Sequence, residues 1–172
     1  MTKPKFRTGR AVAAFVGVLA YASQAGGQAV GEIQLADDSF PDLSGYTQVT
    51  TYDYITMDMR NYFGGPTFST PDGQRCSSNE RDYLHRLWCY GPRPDKGGFW
   101  EVNFASGVAA TILQKDPPDP DFKPDPDEFK LLPPMHKIVF DAFTCGVDDK
   151  NMFACRAGDH GFVFTPDSTT LF

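Results

Sequence analysis

The chain has 172 residues, with 22 acidic against 16 basic side chains and a formal net charge of −6 at pH 7. This excess of acid argues against a nucleic-acid or anionic-lipid partner, because phosphates would be repelled rather than neutralised. Once an N-terminal leader is set aside, the length suits one domain.

Residues 1–29 are predicted to be a secretory signal peptide. Four basic residues precede an apolar run at 11–22, and small and polar residues follow it. This order of charge, apolar core and small residues is what an export signal requires, with cleavage expected after Ala25 or Ala29. The alternative is an uncleaved membrane anchor, but twelve apolar positions span only about 18 Å as a helix, short of the roughly 30 Å hydrocarbon core. The four basic residues are Lys3, Lys5, Arg7 and Arg10.

Removal of this leader would leave an acidic domain outside the cytoplasm. The leader holds four basic and no acidic residues, so its loss takes the formal charge from −6 to −10. Such a charge keeps an extracellular protein soluble. We therefore expect a secreted or cell-envelope protein, which would meet a membrane only through an uncleaved signal segment.

The four cysteines are expected to form disulfides, because an exported chain meets an oxidising environment. Twelve residues separate Cys76 from Cys89, and nine separate Cys145 from Cys155. Four cysteines allow three pairings, and local pairing is favoured because each pair flanks a hairpin-like segment. A metal site would need C-x-x-C spacing or nearby histidines. We therefore predict structural cysteines, with no metal and no cofactor.

The domain is preceded by a polar stretch, residues 30–46, which we predict to be a flexible lead-in or an arm wrapped on the domain. The alternation of Tyr52 and Tyr54 with Asp53 then predicts a strand. Residues 70–73 have the sequence Thr-Pro-Asp-Gly, a turn in which proline presets φ and glycine tolerates positive φ. A Thr-Pro-Asp turn recurs at 165–167, which indicates either one turn used twice or an internal duplication.

The middle of the chain combines apolar segments with a charged loop. Residues 100–104 alternate apolar and polar side chains as a strand does, whereas 107–113 fit a buried strand or a short helix equally well. Residues 115–130 repeat Asp-Pro steps, which exclude helix and sheet and predict an extended acidic loop. A calcium site there is disfavoured because the glycine and glutamate of an EF-hand loop are missing, and a docking strip for a basic or cell-wall partner is the alternative.

The last third of the chain contains the clearest hairpin signal. The run 137–145 predicts one strand, and a polar turn at 147–151 returns it as 152–155. No segment shows a long helical repeat with caps. The predicted fold is therefore mostly β: one small disulfide-stapled β-hairpin or sandwich-like domain over residues 47–172, with at most one or two short helices.

Three local features occur together in this chain: the Thr-Pro-Asp-Gly turn leading to Cys76, a Leu-Pro step at 132–133, and the sequence Thr-Cys-Gly-Val at 144–147. In these features the chain resembles a group of small exported proteins of mycobacteria and related actinobacteria that have no established activity. A closing turn at 161–166 completes the likeness, which covers residues 44–172. The resemblance implies an exported β-rich protein and assigns no functional residue.

Ten aromatic residues are candidates for stacking on sugars or lining a lipid groove. Most alternate along predicted strands, so we assign the majority to the core. Trp88 and Tyr90 flank Cys89 and are expected to pack against its sulfur, whereas Phe99 and Trp100 are expected at an exposed loop tip. The full set is Tyr46, Tyr52, Tyr54, Tyr62, Phe63, Tyr83, Trp88, Tyr90, Phe99 and Trp100.

Catalytic signatures are missing from the sequence. His85, His136 and His160 could each meet an aspartate and a hydroxyl, but the chain has no G-x-S-x-G or H-E-x-x-H motif. We therefore predict a binding or interaction protein without catalytic activity, with an envelope protein, glycan or lipid as its partner. The alternatives are a small secreted hydrolase with a loop-built site and an accessory subunit of an envelope membrane complex.

Overall fold

The computed structural model describes residues 39–55, 64–80, 85–119 and 128–172. The predicted signal peptide, residues 30–38 of the lead-in and the centre of the acidic loop lie outside the described residues. In the part of the chain that is described, no helix is long and apolar enough to span a membrane.

The described residues form twelve strands in two six-stranded sheets and one 3₁₀ helix, Thr51–Tyr54. The strands of the N-terminal sheet are β2 Gly64–Ser69, β3 Arg75–Asn79, β4 Arg86–Pro92, β5 Phe99–Ala105, β6 Val108–Lys115 and β7 Lys130–Leu131. Those of the C-terminal sheet are β1 Thr47–Gln48, β8 His136–Phe140, β9 Phe143–Val147, β10 Phe153–Ala157, β11 His160–Phe164 and β12 Thr169–Leu171. The N-terminal sheet has the order β6-β5-β4-β3-β2-β7, and the C-terminal sheet has the order β1-β8-β9-β10-β11-β12. The mostly β prediction is confirmed.

The two sheets share one plan. Each is an antiparallel meander of five consecutive strands, with a two-residue strand added in parallel beside the first strand of the meander. The added strands are exchanged: β1 precedes the first meander but pairs with β8 of the second, and β7 precedes the second meander but pairs with β2 of the first. The two halves of the domain are thus tied together by reciprocal strand exchange.

One disulfide joins the second and third strands of each meander. The bridges are Cys76–Cys89 and Cys145–Cys155, so the pairing is local, and no described cysteine is free. Each pair lies directly opposite across its two strands, on the face of the sheet that is buried in the core. The bridges therefore sit within the hydrophobic core, and their neighbours in the same cross-strand rows are Phe68, Val102, Ile112, Ile138, Phe162 and Leu171.

Phenylalanine rings join the inner faces of the two sheets. Phe68 of the N-terminal sheet packs edge-on against Phe153 of the C-terminal sheet, with 6.2 Å between ring centres. Phe104 meets Phe143 in the same way at 5.3 Å. All four rings are at most 2 % exposed. Since burying each such side chain contributes about 2–3 kcal/mol, these rings are a main source of the cohesion between the sheets.

Two strand predictions are wrong. Tyr52 and Tyr54 lie in the 3₁₀ helix, because the Tyr54 hydroxyl donates a hydrogen bond to the Leu131 carbonyl oxygen (3.1 Å) and the Thr51 hydroxyl donates to that of Val139 (2.8 Å). The run 137–145 forms two strands, since Asp141 has φ +45° and starts a two-residue hairpin turn between β8 and β9. Residues 108–113 of the ambiguous segment belong to β6, which continues to Lys115. The two end residues of the predicted acidic loop, Lys115 and Lys130, therefore lie in β6 and β7.

Residues 39–46, which we call the strap, lie along the outer face of the C-terminal sheet. Leu43 is only 6 % exposed and packs on Gly146 of β9. The Lys137 ammonium donates a hydrogen bond to the Leu43 carbonyl oxygen over 2.9 Å. This part of the lead-in is therefore folded onto the domain.

Candidate functional site

The outer face of the N-terminal sheet carries aromatic side chains. Successive residues of a strand point to opposite faces. Because Cys89 faces the core with no exposed surface, Trp88 and Tyr90 point to the outer face. The expectation that these two rings pack against the disulfide sulfur is therefore wrong.

Four side chains form a groove on this face, which we call the aromatic groove. Trp88 lies directly opposite Asn103 of β5, and Arg86 lies opposite Asn79 of β3, so the four occupy two adjacent cross-strand rows. The groove has a volume of about 300 Å³. Arg86 is exposed and the other three side chains are half-buried. This volume is at the small end of the range for ligand clefts.

The chemistry of the aromatic groove combines a ring face with planar polar groups. The indole offers an apolar face, and the two amides each supply N–H donors and a carbonyl acceptor. The guanidinium of Arg86 adds up to five N–H donors in one plane. This set suits a ligand that has a flat apolar face and a rim of hydroxyl groups.

A second group of rings extends the aromatic surface toward the acidic loop. Tyr90 and Phe99 lie in the rows next to the groove, with their ring centres 5.6 Å apart. The Tyr90 hydroxyl donates a hydrogen bond to the Asp116 carbonyl oxygen at 2.5 Å, which ties the start of the loop to this face. Leu113 of β6 is 59 % exposed in the same row as Tyr90.

Phe99 and Trp100 do not form a loop tip; both are half-buried residues at the start of β5. The Trp100 indole donates a hydrogen bond to the Gly97 carbonyl oxygen at 2.8 Å, and its ring lies 4.8 Å from the guanidinium carbon of Arg93. Arg93 in turn forms a two-bond ion pair with Asp95 at 2.8 and 3.0 Å. Arg93 also donates a hydrogen bond to the Thr169 hydroxyl of β12 at 3.0 Å, so Trp100 belongs to a structural cluster that joins the two sheets. Tyr62, Phe63 and Tyr83 of the candidate set lie outside the described residues.

The structure brings one of the three candidate histidines to an aspartate. The His85 ring contacts the carboxylate of Asp141 at the β8–β9 turn, and their side chains are 43 % and 28 % exposed. Burial raises the pKa of the neighbouring Glu80 carboxyl, and the charge of Asp141 adds to that effect. Within the described residues, no serine or threonine hydroxyl bonds to His85 or Asp141, and no group of three or more metal-ligating side chains occurs.

The other two histidines lie elsewhere. A ring nitrogen of His136 is 2.8 Å from the Pro134 carbonyl oxygen, and His160 starts β11. Neither is part of the aromatic groove. No sequence pattern singled out Asn79, Arg86 or Asn103, since their convergence depends on the register of three strands.

Comparison with known proteins finds no protein-family model, curated protein or solved structure that matches this chain. The suggested function therefore depends on the geometry of the described residues.

Proposed function

We propose that this protein is an exported, non-catalytic binding protein of the cell envelope that holds a glycan in the aromatic groove. One observation carries the proposal: Trp88 lies on the outer face of a sheet among Asn79, Arg86 and Asn103. The described lining residues thus provide a stacking ring and hydrogen-bonding groups.

The compartment is supported by the disulfides. Two bridges indicate an oxidising, extracytoplasmic environment. Export through the signal segment at 1–29 and residence in the envelope are parts of the proposal. A glycan fits that setting, because envelope polysaccharides present many hydroxyl groups.

The groove favours a sugar over a purely apolar ligand. A sugar ring places C–H groups on the indole face while its hydroxyls bond to the surrounding amides and guanidinium. Apolar surface that displaced water from these polar groups would not replace the hydrogen bonds of that water, and each donor or acceptor left unsatisfied costs about 1–3 kcal/mol. Polar rims of this kind therefore select ligands with matching hydroxyls.

The test is titration of the ¹⁵N-labelled protein with soluble oligosaccharides of defined linkage, including fragments of its own envelope. The chain has two tryptophans, so its spectrum contains two indole N–H signals, which Trp88→Phe assigns. We expect a bound oligosaccharide to shift the Trp88 signal and to leave that of Trp100 in place. Trp88→Ala should weaken binding at least tenfold, about 1.4 kcal/mol, because the stacking surface is lost.

The matched control is Tyr52→Ala, which removes an aromatic ring that is 65 % exposed on the 3₁₀ helix, outside the groove. This variant should bind oligosaccharide as the wild-type protein does. Absence of binding across the panel, or binding that Trp88→Ala leaves unchanged, would refute the glycan proposal. If the same samples instead cleave the oligosaccharides and His85→Ala abolishes cleavage, the protein is a hydrolase.

A further inference from the structure

A second pocket lies on the outer face of the other sheet, between the strap and strands β8, β9 and β10. Its volume is about 540 Å³, and the residues of the strap from Phe40 to Ser44 form one wall. The floor is a cross-strand row in which Val139, Thr144 and Arg156 lie side by side. We call this cavity the strap pocket.

Two cations, Lys137 and Arg156, face the strap pocket, and neither forms a direct ion pair within the described residues. The guanidinium carbon of Arg156 lies 4.7 Å from the centre of the Phe40 ring. The Lys137 ammonium donates to the Leu43 carbonyl oxygen at 2.9 Å. In the described part of the chain, neither side chain forms an ion pair, although four other such pairs occur. Lys137 acts on the Asp42 carboxylate through its charge without a direct ion pair, so both cations keep N–H groups for a ligand.

These contacts also hold the cations in place. A guanidinium packed on a ring keeps the N–H groups of its edge free for two parallel bonds to an oxyanion. An ammonium that uses one N–H on a carbonyl retains two for other acceptors. Because the strap fixes both groups before a ligand arrives, less side-chain entropy is lost on binding.

The one carboxylate in the described lining, Asp42, is held mainly by Ser44, whose hydrogen bonds lower the pKa of the carboxyl, with a smaller contribution from the charge of Lys137. Asp42 accepts hydrogen bonds from the backbone N–H and the hydroxyl of Ser44 at 2.8 and 3.0 Å. The lining also contains neutral donors, the Thr144 hydroxyl and the Gln48 amide, and apolar surface from Phe40 and Val139. This combination is unexpected in a chain with a net charge of −6.

We propose that the strap pocket binds the carboxylate or phosphate group of a small ligand, with Arg156 and Lys137 as its charged partners and Thr144 as a hydroxyl donor. The apolar wall accommodates the body to which the anionic group is attached. This inference goes beyond the proposed glycan function, because it concerns the opposite outer face and a different chemistry. It predicts that one molecule holds two ligands at once.

The experiment is an NMR and calorimetric titration of the full exported protein with inorganic phosphate and with glucuronate, against glucose at matched ionic strength. We expect at least one anion to shift the backbone signals of Thr144, Arg156 and the strap, and glucose to leave them in place. The dissociation constant should rise at least fivefold in Arg156→Gln and in Lys137→Gln. It should also rise with added salt, because the attraction is screened.

Two further variants separate anion binding from general effects. Lys150→Gln removes an exposed positive charge from the β9–β10 turn, outside the pocket, and should leave binding unchanged. Arg156→Lys keeps the charge but loses the planar donor pair, so it should bind more weakly than wild type while retaining the fold. Loss of affinity in Lys150→Gln equal to that in Arg156→Gln would overturn the proposal, as would the absence of binding by both anions and by anionic vesicles.

The source of the anionic group is determined by measuring binding to vesicles of phosphatidylglycerol, which are anionic, and to vesicles of phosphatidylcholine, which carry no net charge. Binding to the anionic vesicles alone, lost in Arg156→Gln, would identify a lipid headgroup as the ligand. Binding to soluble glucuronate or phosphate without vesicle binding would identify a soluble or sugar-borne anion. Trp88→Ala should leave both results unchanged, so failure of this proposal is distinguishable from failure of the glycan proposal.

Discussion

The Leu43 side chain lies directly on the backbone of Gly146, where an added Cβ would come within 2.7 Å of the Leu43 Cδ1. Leu43 is the buried anchor of the strap, and Gly146 lies on the outer face of β9 between Lys137 of β8 and Ala154 of β10. The missing Cβ therefore lets the strap approach the sheet and complete the strap pocket.

Gly146→Ala should displace the strap while leaving the sheets folded. The obstructing atom is the end of a flexible side chain, so we expect a loss of about 1 kcal/mol in the free energy of unfolding. Amide hydrogen exchange should become faster within residues 39–46. Gly45→Ala is the control, since nothing lies within 4 Å of its Cβ position. Unchanged strap exchange in Gly146→Ala would contradict the packing argument.

Gly161→Ala should be much more damaging than Gly146→Ala. Its Cβ would overlap the Cys155 carbonyl oxygen and lie 2.8 Å from the Cα of Arg156, which are backbone atoms of the neighbouring strand. We expect a loss of about 3 kcal/mol or more, measured by urea denaturation. A loss no larger than that of Gly146→Ala would show that β10 and β11 can separate at little cost.

Each disulfide should contribute similarly to stability. The bridged cysteines are 13 and 10 positions apart in the chain, for which the loop-entropy account gives about 3 kcal/mol each. Cys76→Ala with Cys89→Ala, and Cys145→Ala with Cys155→Ala, should therefore lower the free energy of unfolding by comparable amounts. A difference above about 2 kcal/mol between the two double variants would show that packing around the sulfurs outweighs loop closure.

The turn at Thr70–Gly73 should give the fold a pH dependence. Burial raises the pKa of the Asp72 carboxyl above its usual 3.8, although the Thr70 hydroxyl donates a hydrogen bond to it. The folded state therefore binds the proton of the Asp72 carboxyl more tightly than the unfolded state does. The stability that protonation of Asp72 provides is present at low pH and is lost as the pH rises from about 3.8 through the raised pKa. Asp72→Asn cannot ionise, so its melting temperature relative to wild type should be higher at pH 7 than at pH 3.5. A difference independent of pH would contradict this assignment.

Asp95 should give the stability of the fold the opposite pH dependence. Hydrogen bonds from Arg93 hold the pKa of its carboxyl below 3.8, and the Thr169 hydroxyl also donates to it at 2.8 Å. The stability that ionised Asp95 contributes is fully present above the pKa of this carboxyl in the unfolded chain, and it is lost as the pH falls through the lower pKa of the folded state. Asp95→Asn should lower the free energy of unfolding by about 2 kcal/mol at pH 7, measured by denaturation. The reason is that the Arg93 side chain is only 9 % exposed and loses its charged partner. Asp167→Asn, on the exposed 165–168 turn, should cost far less.

Local chemistry explains why much of this protein was predictable. The turn formed by residues 70–73 and the β9–β10 turn depend on neighbouring residues, so a short stretch of sequence specifies them. The strand prediction for Tyr52 and Tyr54 fails for the opposite reason. Long-range hydrogen bonds hold this segment in a 3₁₀ helix, although its aromatic and polar residues alternate as in a strand. The turn at Asp141 could not be predicted from the sequence, because the apolar run continues on both sides of this residue.

The sequence by itself determined a mostly β chain with two short cysteine loops, because strand alternation, turn residues and cysteine spacing act over a few positions. Only the tertiary structure decided the exchange of β1 and β7, the outward direction of Trp88 and the meeting of Lys137 and Arg156 at the strap. These features depend on strand register and on pairing between residues far apart in the chain. A shift of one residue in register would turn Trp88 into the core, so the candidate sites exist only once the sheets have formed.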